Sequence, residues 1–178
     1  MSDLLDRDAV IELLTELGRQ LDARDCAAEI YVVGGTAMVL AYDRTRLTRD
    51  IDAIWDTDGP LDDVVAQIAL ERNLPGDWMN DRVRPMLPRV VDTDQLETLV
   101  IPGLTVSVAS PRHMIAMKTR AARDARDLDD LLLLCNREDL TSVAEVMSIA
   151  DDVWGPGMLR DEAIFAVREG LLERGLQP

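Results

Sequence analysis

Apolar residues at Leu5, Ala9, Val10, Leu13, Leu14, Leu17 and Leu21 recur every three or four positions, so the pattern predicts an amphipathic helix over residues 4–21. A short apolar run, Glu29–Val33, then reads as a buried strand that breaks at Gly34-Gly35. A helix over Thr36–Tyr42 and a second strand over Asp50–Trp55 follow. Gly59-Pro60 ends that unit, and Leu61, Val64, Val65, Ile68 and Ala69 make one face of a further helix. The Pro-, Asp- and Arg-rich stretch from Asn73 to Asp94 reads as irregular, with a short helix near Trp78–Arg84. Glu97–Ile101 and Leu104–Val108 around Pro102-Gly103 form a strand–turn–strand signal. Ser110-Pro111 opens a helix, with Ser as N-cap and Pro at the first position. Three more helices are expected near Leu128–Cys135, Ser142–Asp151 and Arg160–Arg174, the last two separated by Gly155-Pro156-Gly157. A small mixed sheet first and helices last make an α+β fold. The division falls near residue 110, with residues 1–110 as a core and 111–178 as a helical part, or the whole as one domain.

Composition changes this picture in three ways. The chain is 178 residues long and 47% hydrophobic, enough for one good core, yet only six residues are aromatic, so aliphatic side chains and Met must fill it. Met114, Met117 and Met147 are read as core filling. No apolar run approaches the roughly 20 residues that a membrane span needs, and the acidic N-terminus lacks the layout of a signal peptide. Cys26 and Cys135 stand apart with no metal-binding or redox spacing, so free thiols in a reducing cytoplasm are expected.

The net charge of −15 argues against broad binding to duplex DNA or other nucleic acid. The charge is uneven, however. Arg112 to Arg126 holds five Lys/Arg and one Asp, a local +4 that leaves −19 elsewhere. That basic helix either neutralises neighbouring acids or holds a triphosphate or a tRNA end.

The densest chemical pattern lies between residues 32 and 52. Gly34-Gly35 at a strand end lets backbone approach a ligand closely, and a helix start beyond it offers free N–H groups to a phosphate. Asp50 and Asp52 are at alternate positions of the next strand, so both side chains share one face. Two adjacent carboxylates need a cation or a proton to compensate them, and hard oxygen donors suit Mg²⁺ or Mn²⁺. Taken alone, Gly34-Gly35 is also compatible with a simple tight turn, and Asp50 with Asp52 is compatible with a charged edge strand.

An apolar strand ending in Gly-Gly, a helix, and Asp-apolar-Asp on the next strand resembles the DNA polymerase β-like nucleotidyltransferase superfamily, whose type of small mixed sheet is thereby implied. A second stretch, Val106 to Lys118 followed by Ala121, Arg123 and Arg126-Asp127-Leu128-Asp129-Asp130, is similar to a bacterial group of nucleotidyltransferase-like domains related to AbiEii-type toxins of toxin–antitoxin systems. The resemblance spans roughly Tyr31 to Leu134. It implies a catalytic set of Thr48, Asp50, Asp52, Lys118 and either Asp127 or Asp130.

On this reading Asp50 and Asp52 hold Mg²⁺ or Mn²⁺, and Gly34, Gly35 and Thr36 meet the phosphates of an NTP. Lys118 pairs with a phosphate oxygen, while Arg46 and Arg49 clamp phosphate or hold the acids. Asp127 or Asp130 orients Lys118 or takes the proton of the attacking hydroxyl. A third carboxylate from a neighbouring strand is expected in the superfamily; Glu97 is the candidate by position, with Asp92 and Asp94 next. At least one of Asp129 and Asp130 is expected to cap or solvate its helix. His113 is read as packing at a helix start. The function implied is transfer of an NMP to an acceptor hydroxyl, on a tRNA 3′ end or a protein, by a toxin with an antitoxin partner. The alternative is an inactive nucleotide- or partner-binding scaffold of the same fold.

Overall fold

The computed structural model describes the chain apart from residues 1–3, 57, 58 and 123 and the side chains of residues 97 and 98. It divides into two compact units, one comprising residues 1–86 and 95–109, the other residues 87–94 and 110–178.

The first unit begins with helix α1, Arg7–Asp22, capped by the Asp6 carboxylate, which accepts from the Ala9 N–H at 2.8 Å. Strand β1 (Ala28–Val32) leads into a helical segment whose first turn, α2, is Gly34–Ala37 and which widens into a π-turn over Met38–Tyr42. Strand β2 (Ile51–Trp55) and helix α3 (Leu61–Arg72) follow. Trp78–Arg84 is not a helix: Met79–Asn80 form a two-residue strand, β3, with a 3₁₀ turn at Arg84–Met86. The backbone there is taken by the sheet, since β3 pairs parallel with β2 and the Ile51 N–H donates to the Trp78 carbonyl at 2.7 Å.

Strands β4 (Leu96–Ile101) and β5 (Leu104–Val108) form the expected hairpin. Gly103 turns it at φ +76, where a Cβ would stand 2.3 Å from the Gly18 carbonyl of α1. The five strands run in the order β3-β2-β1-β5-β4, with β1/β2 and β4/β5 antiparallel and β1/β5 and β2/β3 parallel. This is a mixed sheet in an α+β architecture. Alternation is clean: Ile30 and Val32 of β1, Ile51 and Ala53 of β2, and Val106 and Val108 of β5 are buried. Helix α1 packs Val10, Leu14 and Leu17 into this core and touches β4, β5 and α3. Asp52 and Ile54 fall on the other, half-exposed face of β2.

The second unit is helical. Helix α4 (Pro111–Ala121) packs against α5 (Ala125–Arg137), α6 (Val143–Trp154) and α7 (Asp161–Glu173). Ser110 caps α4 with Pro111 behind it, and Ser142 with Glu145 closes a capping box on α6. The cap of α5 is Asp124, while Asp129 is exposed to solvent on that helix, as expected of one of the two acids, and Asp130 is buried. Met114 belongs to the core, whereas Met117 and Met147 are half-buried. Among the described residues no helix is long and apolar enough to cross a membrane.

Candidate active site

The first unit brings six of the expected residues together. Gly34 has φ +62, a backbone conformation that side chains rarely adopt, and a Cβ there would stand 2.9 Å from Asp52 Oδ2. At Gly35 a Cβ would stand 2.9 Å from Thr48 Oγ1. The two glycines therefore make room for side chains of the chain itself: the Asp52 carboxylate and the Thr48 hydroxyl lie directly against the start of the helical segment.

Asp50 is held by its backbone and by its side chain. Its carbonyl accepts from Thr36 Oγ1 at 2.7 Å and from Thr48 Oγ1 at 3.0 Å. Both hydroxyls are buried, so both threonines position Asp50. Thr48 is itself fixed by paired backbone hydrogen bonds with Leu5, at 2.6 and 2.9 Å. The Asp50 Oδ2 accepts from Asn80 Nδ2 at 2.9 Å, and Asn80 is the register partner of Asp52 across β2 and β3. Asn80 has no signal in the sequence, because a two-residue strand carries no periodicity.

Arg46 pairs with Asp43 at 3.5 Å, and the hydroxyl and N–H of Thr45 hold the Asp43 carboxyl below the usual carboxylate range. Arg49 is exposed. The donors suit a small hard cation: the Asp52 carboxylate on β2, seated where a glycine leaves space, and the Asp50 carboxylate just before that strand, one oxygen of which accepts from Asn80. Among the described residues no group of three or more His, Cys, Asp or Glu is placed to hold a metal ion, so remaining ligands would be water and phosphate oxygens.

The expected third carboxylate is not Glu97 on positional grounds. Strand β4 is separated from β2 by β1 and β5, which places it roughly 14 Å away; the Glu97 side chain itself lies outside the described residues. Asp92 is engaged in the second unit, where it accepts from the Ser110 N–H at 2.8 Å and faces His113 Nδ1 at 3.3 Å. The Asp94 N–H donates back to Asp92 at 3.3 Å. His113, at the start of α4, is buried and places its Nε2 3.1 Å from the Val90 carbonyl. It thereby fastens residues 90–92 to its helix, which goes beyond simple packing.

The second unit assembles the other expected group. Lys118 is 9% exposed, and its Nζ donates to Asp127 Oδ1 at 2.8 Å and to Asp130 Oδ2 at 2.7 Å. The two carboxylates are three residues apart on α5 and so share a face toward α4. One buried cation between two buried anions is a fixed, charge-assisted cluster. Arg123, one of the five basic residues of that stretch, lies outside the described residues. Asp129 is paired instead with Arg174, at 2.9 Å.

Residues 8–155 match the family described as nucleotidyltransferase of unknown function (DUF6036), and the chain belongs to that family. A solved structure, an antigenic nucleotidyltransferase-like protein from Paracoccidioides brasiliensis, is similar at a TM-score of 0.43 and 13% identity, with 92% of this chain and 95% of that one covered. No curated protein matches the chain significantly.

Proposed function

We propose that this protein transfers a nucleoside monophosphate from an NTP to an acceptor hydroxyl, with Asp50 and Asp52 as the cation-holding pair. The observation that carries this reading is the seating of Asp52 against Gly34 beside an Asp50 fixed by Thr36, Thr48 and Asn80. Such pre-organised carboxylates suit chemistry that depends on positioning and electrostatics.

Mg²⁺ or Mn²⁺, when bound, would neutralise charge on the triphosphate and on the departing pyrophosphate. The N–H groups of Gly34, Gly35 and Thr36, unpaired within a helix start, meet phosphate oxygens. Arg46 and Arg49 add positive charge for phosphate. Lys118, held by Asp127 and Asp130, joins the catalytic set on the strength of the resemblance. The acceptor oxygen bonds to the α-phosphorus as the bond to pyrophosphate breaks.

The acceptor is a tRNA 3′ end or a protein side chain, and the protein acts as the toxin of a toxin–antitoxin pair. This finer reading is supported by the resemblance of residues 106–130 to AbiEii-type domains. The net charge of −15 favours the protein acceptor. A second reading, NTP binding without turnover, is favoured by Lys118, whose charge is already engaged by two carboxylates.

The deciding experiment incubates the protein with each α-³²P-labelled NTP, Mg²⁺ or Mn²⁺, total tRNA and a cell extract, with Asp50→Ala alongside. Label moving to RNA or protein only with Asp50 intact is the expected result and names the acceptor. NTP binding without transfer selects the scaffold, and no NTP binding removes both readings.

A further inference from the structure

A backbone bridge ties the chain ahead of α1 to the loop that carries Asp50. The Leu5 N–H donates to the Thr48 carbonyl at 2.6 Å, and the Thr48 N–H donates to the Leu5 carbonyl at 2.9 Å, an antiparallel pair outside the five-stranded sheet. Leu5 is itself held from the other side. Asp6 caps α1 with its own backbone extended, so the chain runs from the bridge straight into a helix whose Val10, Leu14 and Leu17 are buried in the core. Arg7, the first residue of α1, reaches the opposite end of the same loop. Its Nε donates to the Leu40 carbonyl at 3.4 Å, in the last turn of the helical segment, where a helix leaves carbonyls unpaired. Residues 5 and 7 thus grip residues 48 and 40, the two ends of the connection that delivers Asp50 to β2.

We infer that Leu5 is a positioning residue for Asp50, acting through its main chain on Thr48, so that the segment entering α1 belongs to the site. The inference rests on the cation-holding role proposed for Asp50. Thr48 is buried and its hydroxyl donates to the Asp50 carbonyl at 3.0 Å, so a shift of Thr48 moves the Asp50 backbone directly. The same hydroxyl lies against the helix start at Gly35. Asp43, bonded to Thr45 and Arg46, orders the first half of the loop; the bridge acts on the second half. Arg44, Thr45, Leu47 and Arg49 are exposed, so packing alone does little to order the connection. Without the bridge it opens locally while the core stays folded.

The test compares Leu5→Pro, which removes the N–H given to Thr48, with Leu5→Ala, which keeps the main chain and trims only the side chain. Mn²⁺ binding to the full chain is read from loss of the free-ion EPR signal, with Asp50→Ala alongside and each fold checked by circular dichroism. Leu5→Pro is expected to bind Mn²⁺ about tenfold more weakly, the low end of what loss of a supporting hydrogen bond costs a metal site. Leu5→Ala is expected to bind as wild type does. A second measurement needs no variant at Leu5. Coupling is reciprocal, so a bridge that favours the cation is favoured by the cation to the same extent. Saturating Mg²⁺ should therefore slow hydrogen exchange of the Leu5 and Thr48 amides in wild type by that same factor, read by NMR, and leave them unchanged in Asp50→Ala. Should Leu5→Pro not fold, the exchange measurement decides alone.

Unchanged Mn²⁺ affinity in a folded Leu5→Pro, equal weakening in Leu5→Ala, or exchange at Leu5 and Thr48 indifferent to Mg²⁺ overturns the inference. In each of those cases loss of Mn²⁺ binding in Asp50→Ala leaves the nucleotidyltransferase reading standing. No Mn²⁺ binding by wild type, or binding indifferent to Asp50→Ala, overturns both.

Discussion

Asp52 Oδ2 lies 2.9 Å from the point where a β-carbon on Gly34 would be, so these two residues exclude any side chain between them. Gly34 also has φ +62, a conformation that costs a side-chain-bearing residue roughly 1–2 kcal/mol. Gly34→Ala is expected to lower the unfolding free energy by about 1–3 kcal/mol and to weaken Mn²⁺ binding, because Asp52 must move. Gly35→Ala crowds only the Thr48 hydroxyl, at an ordinary helical φ, and should be milder on both counts. Urea unfolding and Mn²⁺ titration of the two variants check the contrast.

Thr36 and Thr48 share one acceptor, the Asp50 carbonyl. Thr36→Val and Thr48→Val should each cost about 1 kcal/mol, since the carbonyl keeps one donor. The double variant leaves it without either and should cost more than the sum of the two. A double-mutant cycle in urea measures the difference, with equal additive losses as the contrary result.

Lys118 stands between two buried carboxylates, and its removal takes away the cation that bridges them. Lys118→Met is expected to destabilise by about 3–5 kcal/mol. Asp127→Asn or Asp130→Asn retains one full ion pair and should cost less than Lys118→Met. A loss under 1 kcal/mol for Lys118→Met, in urea unfolding, would contradict the role assigned to this cluster.

Cys135 is fully buried, and burial pushes its thiol up to about 12, whereas Cys26 is partly exposed; both are free. A thiol whose folded value is raised contributes stability that is complete below its ordinary value near 9 and lost as pH rises toward 12. In that window the wild type should lose up to about 1.4 kcal/mol per pH unit more than Cys135→Ala does. A thiol reagent at neutral pH should label Cys26 readily and Cys135 only after unfolding.

The sequence by itself determined the elements other than β3, where it predicts a helix instead. Periodicity sets α1, α3 and the four C-terminal helices, Ser110-Pro111 sets the start of α4, and Pro102-Gly103 sets the β4–β5 hairpin, because each depends on nearest neighbours along the chain. It also marked Gly34, Gly35, Asp50 and Asp52 through their spacing, and Thr48 through the resemblance. Tertiary structure alone decided what those residues touch. The strand order β3-β2-β1-β5-β4 sets Glu97 three strands from β2, although both lie in regular strands of similar appearance. Asn80 reaches Asp50 across 30 positions by way of a strand too short to leave a pattern. Lys118 looks like a surface lysine in sequence; only the packing of α4 on α5 buries it against Asp127 and Asp130. Local spacing encodes which faces exist, while the partners of a polar side chain are fixed only when distant backbone brings donor and acceptor within about 3 Å.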